Sequence, residues 1–166
     1  FKRYKPTLLT YLEQGNLFPG FEVYGDYREK SLKRMDWVLD FLTECPNVDN
    51  NGTLEILEPD DQTWFVSDNQ LDDYWEKLIT HEYINEILSQ IDENESLSQT
   101  VESLDELKNI ALERLKKKYQ RWTKNISELE ATDVQEIYLS TLTQQFDPHS
   151  SFLNIKEKEK FDQTMQ

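Results

Sequence analysis

Three short stretches of this 166-residue chain carry side chains that could do chemistry. The first follows the ligand spacing of an EF-hand, whose loop binds calcium through oxygens and turns on a glycine at its sixth position. Position one is Asn rather than Asp, and Pro59 hinders the exiting helix that an EF-hand requires. A turn at 51–52 beside a short strand is therefore the favoured interpretation, with calcium binding as a minor alternative. The matching positions are Asn47, Asp49, Asn51, Gly52, Thr53, Leu54, Glu55 and Glu58.

The second stretch is His81-Glu82, which begins like the zinc-protease motif His-Glu-x-x-His. That motif places a second histidine four residues after the first, so that both imidazoles lie on one helix face and bind zinc. Here the residue at that position is Asn85. The spacing therefore fails, and we interpret His81 as a helix-surface residue.

The third stretch is His149 followed by Ser150 and Ser151. A serine nucleophile needs a base, a third group that orients the base, and an oxyanion site, and sequence neighbours rarely meet in that geometry. The chain has four glycines and contains neither a Gly-x-Ser-x-Gly elbow nor a glycine-rich phosphate loop. We therefore expect no catalytic, cofactor-binding or metal-binding residue and no cofactor.

A run of cations leaves three interpretations open. It could be a solvated helix face whose charges suit the negative end of the helix dipole. It could pair with acidic residues of the same domain, because Lys77 is the only Lys or Arg between Asn47 and Glu106. It could also bind an anionic partner, although the first two interpretations carry most of the weight. The cations are Arg114, Lys116, Lys117, Lys118, Arg121 and Lys124.

Composition limits the class of protein. The net charge of -15 disfavours nucleic-acid binding and electrostatic docking to an anionic membrane. A mean hydropathy of -0.79 could indicate disorder, but an aromatic content of 12% argues against it. The lone Cys45 cannot form an internal disulfide. The sequence has no membrane span or signal peptide, and because it opens on Phe1 rather than Met we expect a piece of a longer protein.

Apolar residues at three- and four-residue steps predict the helices that would position these groups. The pattern predicts helices over 5–12, from Phe21 to before Pro46, over 70–91, from Leu104 onward and from Val134 onward, with Gly15 and Pro19-Gly20 as breaks. The 70–91 helix is expected to bury Leu71, Tyr74, Trp75, Leu78, Ile84, Ile87, Leu88 and Ile91. Ser67 or Asp68, the capping boxes Ser103–Glu106 and Thr132–Gln135, and Asn154 are predicted to start helices. The fold class is all-α, an irregular bundle of about five or six helices that allows one short β-hairpin in the 47–66 loop.

The chain is predicted to reverse direction at Asp147-Pro148-His149-Ser150, between the last two predicted helices. Proline disfavours helical backbone at the preceding residue, and Asp and Ser can bond nearby amides. Phe146, Phe152 and Leu153 are expected to pin this reversal to an apolar surface.

The passage from Tyr138 to Leu153, followed by Glu159-Lys160-Phe161 and Thr164-Met165, resembles a hallmark of the tail-specific (carboxy-terminal processing) proteases. The resemblance covers most of the chain and is strongest from Leu104 to Gln166. It implies an N-terminal helical domain over 1–146, and a hallmark turn and helix over 147–166 that lead toward a PDZ domain and a serine protease core. The Ser/Lys dyad of that core lies outside these residues, so no catalytic role is carried over.

The resemblance implies a non-catalytic domain of a bacterial periplasmic serine endopeptidase. Its partners would be its own PDZ and protease domains, protein or peptide substrates reached through the parent protease, and an adaptor protein. The domain would frame the core and help with substrate access or adaptor docking. The alternative is a stand-alone acidic helical module for protein interaction.

Overall fold

The helical spacing of apolar residues accounts for most of the architecture. The computed structural model describes residues 3–44, 46, 65–93 and 101–164, and these contain six α-helices and no β-strand. The helices are α1 Leu8–Glu13, α2 Phe18–Phe41, α3 Asp68–Glu93, α4 Val101–Glu128, α5 Ala131–Gln144 and α6 Ile155–Thr164. The all-α prediction is therefore confirmed. Most of the 47–66 loop, where the sequence allows a hairpin, lies outside the described residues.

The predicted stop at Gly15 is confirmed, and its backbone shows why glycine is needed. Gly15 has a φ of 64°, in the left-handed region that favours glycine. Its N–H donates to the Leu12 carbonyl at 2.9 Å, and the Asn16 N–H donates to the Tyr11 carbonyl at 2.8 Å. This pair of bonds is the Schellman pattern, which satisfies carbonyls at the end of α1 that have no donor within the helix.

The predicted break at Pro19-Gly20 is wrong, because α2 already begins at Phe18. Proline is tolerated in a first helical turn, where backbone amides have no intrahelical acceptor. One such amide, that of Phe18, donates to Asn16 Oδ1 at 2.9 Å. Gly20 lies against the ring of Tyr138 on α5, and a Cβ at this position would lie 2.6 Å from the ring Cγ. The absence of a side chain at Gly20 therefore permits this close approach.

The chain divides into two compact units, of which one comprises residues 33–124. Its core is built from three helical segments, each contributing residues at three- or four-residue steps. The buried residues are Met35, Val38 and Leu42 from α2 and the turn after it, Ile79, Tyr83 and Ile87 from α3, and Leu107, Ala111, Leu115 and Tyr119 from α4. An ion pair joins Arg34 Nη1 to Asp72 Oδ1 at 2.6 Å.

The buried face of α3 matches the predicted one in part, since Ile87 is buried and Trp75 and Ile91 pack against the core as expected. Ile79 and Tyr83 are its most buried residues, whereas Leu88 is 51% exposed. Apolar residues occur on several sides of α3, so their spacing alone does not select the side that packs. Tertiary packing against α2 and α4 makes that selection.

The other unit comprises residues 1–32 and 125–166, and it buries Tyr4, Ile126 and Val134. Side chains of α2 donate to carbonyls in the last turn of α4. The Tyr24 hydroxyl donates to the Ile126 carbonyl at 3.2 Å, and Arg28 Nη2 donates to the Ser127 carbonyl at 2.8 Å. A guanidinium at this position also complements the negative end of the helix dipole.

Two of the predicted caps are correct and two are wrong. The Gln70 N–H donates to Ser67 Oγ at 3.3 Å, which confirms Ser67, and Asn154 is described below. Ser103 and Thr132 instead lie inside α4 and α5. The start of α5 uses Asp133, whose Oδ2 accepts the Glu130 N–H at 2.8 Å. Because a carboxylate three residues into a helix can bond the amide before it, Asp133 fixes a start two residues earlier than predicted.

Candidate functional site

The turn at 147–150 is held by its own polar groups. Asp147 Oδ1 accepts the His149 N–H at 3.0 Å, and the Asp147 carbonyl accepts the Ser150 N–H at 2.9 Å. The Ser150 hydroxyl lies 3.3 Å from Asp147 Oδ2, to which it donates. These bonds confirm the predicted reversal and assign its stability to the Asp147 carboxylate and backbone.

The turn is joined to α5 by hydrogen bonds rather than by its aromatic residues. Ser140 Oγ accepts the Phe152 N–H at 3.1 Å, and the Thr143 hydroxyl lies 3.4 Å from the Ser150 carbonyl. Phe146, by contrast, is 92% exposed. The prediction that apolar side chains pin the reversal is therefore wrong for Phe146 and for the exposed Leu153, and only Phe152 is half-buried.

The segment after the turn starts α6 at a position fixed by Asn154. Asn154 Oδ1 accepts the Glu157 N–H at 3.0 Å, which confirms the predicted cap. Its Nδ2 donates to Glu136 Oε2 on α5 at 2.7 Å. One side chain thus begins α6 and ties its first turn to α5.

His149 and Ser150 do not form a base–nucleophile pair in this geometry. The Ser150 hydroxyl donates to the Asp147 carboxylate, and His149 is exposed. A general base must lie within hydrogen-bond reach of the proton that it removes. The arrangement accounts for both residues as parts of the turn.

Residues 81–85 of α3, which lack the second histidine of the zinc motif, instead include a carboxylate that contacts α4. Asn85 takes the position of the missing histidine, and its Nδ2 lies 3.2 Å from His81 Nε2. Glu82 Oε1 pairs with Lys118 at 2.7 Å, and Glu82 Oε2 accepts the Tyr119 hydroxyl at 2.8 Å. Glu82 therefore joins α3 to α4, the helix that carries the basic run.

The second interpretation of the basic run, pairing within the domain, is confirmed for two of its members. Arg114 Nη1 pairs with Glu86 Oε1 at 2.7 Å, and Lys118 pairs with Glu82. Lys116 lies 3.4 Å from Glu113 on its own helix. Arg114, Lys116 and Lys118 therefore have acidic partners within residues 33–124.

Tyr119 is the most strongly perturbed titratable group that the structure describes. Burial raises the pKa of its hydroxyl well above the ordinary value, and the charge of Glu82 and the hydrogen bond to it raise this pKa further. The phenol therefore stays neutral and acts as a hydrogen-bond donor. In the sequence, the four-residue step from Leu115 to Tyr119 is the signal that places this tyrosine on the buried face of α4.

The EF-hand candidate, from Asn47 to Glu58, lies outside the described residues. In the residues that are described, no three His, Cys, Asp or Glu side chains come together as a metal site would require. Within the same residues, every helix is too short or too polar to cross a bilayer.

Comparison with known proteins gives a family for this arrangement of helices and turn. A family model described as the tail specific protease N-terminal domain matches residues 1–156. The tail-specific protease of Haemophilus influenzae is 21% identical over 164 residues, which are 99% of this chain and 21% of that protein. The chain thus spans about a fifth of the length of this relative. No solved structure matches it. The matched residues include all of α1–α5 and the turn at 147–150, and the chain therefore belongs to the tail specific protease N-terminal domain family.

Proposed function

We propose that this chain is the non-catalytic helical domain of a serine endopeptidase that processes proteins from their C-termini. The domain frames the PDZ and protease domains and helps to control substrate access or adaptor docking. The observation that carries the proposal is the family match, which extends over residues 1–156. On this proposal residues 1–146 form the domain, residues 147–166 lead toward the core, and the parent protein is bacterial and periplasmic.

The geometry of the described residues favours a structural role for this domain rather than a catalytic one. The hydroxyl of Ser150 bonds the Asp147 carboxylate within its own turn, and His149 is exposed, so the turn holds no serine–histidine pair of the kind that activates a nucleophile. Two ion pairs hold α3 against α4, one between Glu86 and Arg114 and the other between Glu82 and Lys118. These polar groups serve packing, which is what a domain that positions other domains requires.

The test is a hydrolysis assay on the full-length gene product. Its substrate is a folded protein with an extended apolar C-terminal tail, followed by gel electrophoresis and mass spectrometry. We expect the full-length protein to shorten this substrate and residues 1–166 alone to leave it intact. Ser150→Ala and His149→Ala in the full-length protein should retain activity within about twofold, since neither residue contacts the reacting atoms.

Two results would contradict the proposal. Loss of hydrolysis in Ser150→Ala, with folding intact by circular dichroism, would make Ser150 catalytic. A full-length gene product without any proteolytic activity would favour the alternative, a stand-alone acidic module for protein interaction.

A further inference from the structure

Helix α6 buries little of its own surface against the rest of the described residues. It is 10 residues long, and none of its described side chains is buried. Its two large apolar residues are both solvent-exposed, Ile155 to 78% and Phe161 to 50%. Isolated helices of this length are marginal, because most helical stability in proteins comes from burying one face.

The first turn of α6 is nevertheless held firmly. Asn154 caps the helix and donates to Glu136 on α5, and Ser140 accepts the amide of Phe152 just before it. These bonds fix the start of the helix relative to α5. The helix therefore leaves α5 in a defined direction and presents its apolar residues at a defined place.

Ile155, Lys158 and Phe161 lie within about 120° of one another around a helix with 100° per residue. Ile155 and Phe161 form the two edges of this sector, the aliphatic stem of Lys158 lies midway between them, and Asp162 lies about 20° from Ile155. The residues that flank the sector, each about 40° beyond one of its edges, are Glu157 and Glu159. Acidic residues on both sides of an apolar sector suit a protein surface better than an anionic membrane, which attracts clusters of cations.

The exposure is not limited to α6. From residue 146 to residue 164 the chain has five large apolar residues, and only Phe152 is not classed as exposed. The exposed four are Phe146, Leu153, Ile155 and Phe161. The relative in Haemophilus influenzae is about five times as long as the matched segment. Additional polypeptide in a protein of that kind is the natural cover for such residues.

We propose that α6 is a docking helix, whose Ile155–Phe161 sector is covered by the polypeptide that follows residue 166 in the full-length protein. The inference rests on the proposed function, because that polypeptide includes the PDZ and protease domains. It specifies how the framing is achieved: polar bonds hold the N-terminal end of α6 to α5, and apolar contacts hold its exposed sector to the core.

The test measures thiol labelling in the full-length protein on a Cys45→Ser background. Phe161→Cys and Ile155→Cys are labelled with a maleimide in the native state and in denaturing urea, and Leu9→Cys is the matched control. Leu9 is an exposed apolar residue on α1 of the same unit. We expect native labelling at 161 and 155 to be slower than in urea by about tenfold or more beyond the ratio at Leu9.

The labelling rates test the docking of α6, and the proteolytic activity of the same protein tests the proposed function. Native labelling of Phe161→Cys and Ile155→Cys at the rate of Leu9→Cys would overturn the docking inference. Protection that disappears on dilution would also overturn it, since a second copy would then be the cover. Protection in a protein without proteolytic activity would support docking and contradict the proposed function, so the two can fail separately.

Discussion

Two tyrosine hydroxyls, those of Tyr4 and Tyr138, are buried in the unit formed by residues 1–32 and 125–166. Among the described residues neither hydroxyl has a hydrogen-bond partner. A buried polar group without a partner loses its hydration and gains nothing in return. The aromatic rings, by contrast, are well placed, since Tyr4 packs edge-on against Tyr11 with ring centroids 6.0 Å apart.

We therefore expect Tyr4→Phe to raise the free energy of unfolding by about 1 kcal/mol, because it keeps the ring and removes the costly hydroxyl. Urea denaturation at neutral pH measures this change. Tyr27→Phe is the control: its side chain is exposed, and its effect should stay within about 0.5 kcal/mol. A loss of stability in Tyr4→Phe would mean that the hydroxyl has a partner in solution.

Tyr119 behaves in the opposite way, because its hydroxyl donates to Glu82 at 2.8 Å. Burial, together with that carboxylate, raises the pKa of Tyr119 in the folded state. In the unfolded chain a tyrosine ionises near pH 10. Above about that pH the unfolded state loses a proton that the folded state retains, so the free energy of unfolding falls as pH rises.

We expect Tyr119→Phe to cost about 1–3 kcal/mol at neutral pH, through loss of a hydrogen bond to a charged group. The same variant should lose stability less steeply than the parent protein above about pH 10. Burial also raises the pKa of Tyr138, so a residual slope should remain. Parallel slopes for parent and variant, measured by urea denaturation over this range, would contradict the assignment.

The sequence predicts residue roles only where a role depends on near neighbours. The failed spacing at His81 and Asn85 and the turn at Asp147 could be read directly. The bonds from Glu82 to Lys118 and Tyr119 join residues more than thirty positions apart. Because such pairs depend on which faces of α3 and α4 meet, composition could suggest acidic partners for the cations without naming them.

At the scale of elements, Gly20 and Gly25 form a natural pair on α2. A Cβ at Gly20 would lie within 3 Å of three ring atoms of Tyr138, whereas a Cβ at Gly25 would meet nothing within 4 Å. The Tyr138 ring belongs to α5, so a side chain at Gly20 would push two helices apart. Both positions would gain from the better helix propensity of alanine.

We expect Gly25→Ala to stabilise the protein by about 0.5–1 kcal/mol through this propensity. Gly20→Ala should destabilise it by about 1–3 kcal/mol, since overpacking outweighs the gain. Thermal denaturation of both variants measures the difference. Equal stabilisation in the two would show that α2 and α5 do not approach closely at Gly20.

The helices themselves were largely predictable, while their ends and contacts were less so. Long apolar periodicity identified α2, α3 and α4, because burying one face requires it. The early start of α2 at Phe18 was missed, because Pro19 resembles a break unless Asn16 is known to bond the Phe18 amide. The attachment of the final turn was also missed, since the Ser140–Phe152 bond spans twelve positions and uses a residue without special sequence character.

At the scale of the whole molecule, charge is the dominant property. The net charge is -15, and the ion pairs among the described residues, such as Arg114–Glu86 and Lys118–Glu82, lie mostly at the surface. Exposed pairs contribute about 0.2–1 kcal/mol each, so they offset only part of the repulsion between uncompensated carboxylates. The folded state, which brings those carboxylates closer together, should therefore be sensitive to screening.

We expect the melting temperature at pH 7 to rise by about 2–4 °C when sodium chloride increases from about 0.1 M to about 1 M, where the Debye length falls from about 10 Å to about 3 Å. The control is the same pair of salt concentrations at pH 4.5, the isoelectric point of the sequence. Salt also strengthens apolar burial, but it does so at both pH values, so the difference between them isolates the net-charge repulsion. An equal rise at pH 4.5 would assign the effect to apolar burial. No rise at pH 7 would mean that the ion pairs between α3 and α4 lose as much by screening as the repulsion does.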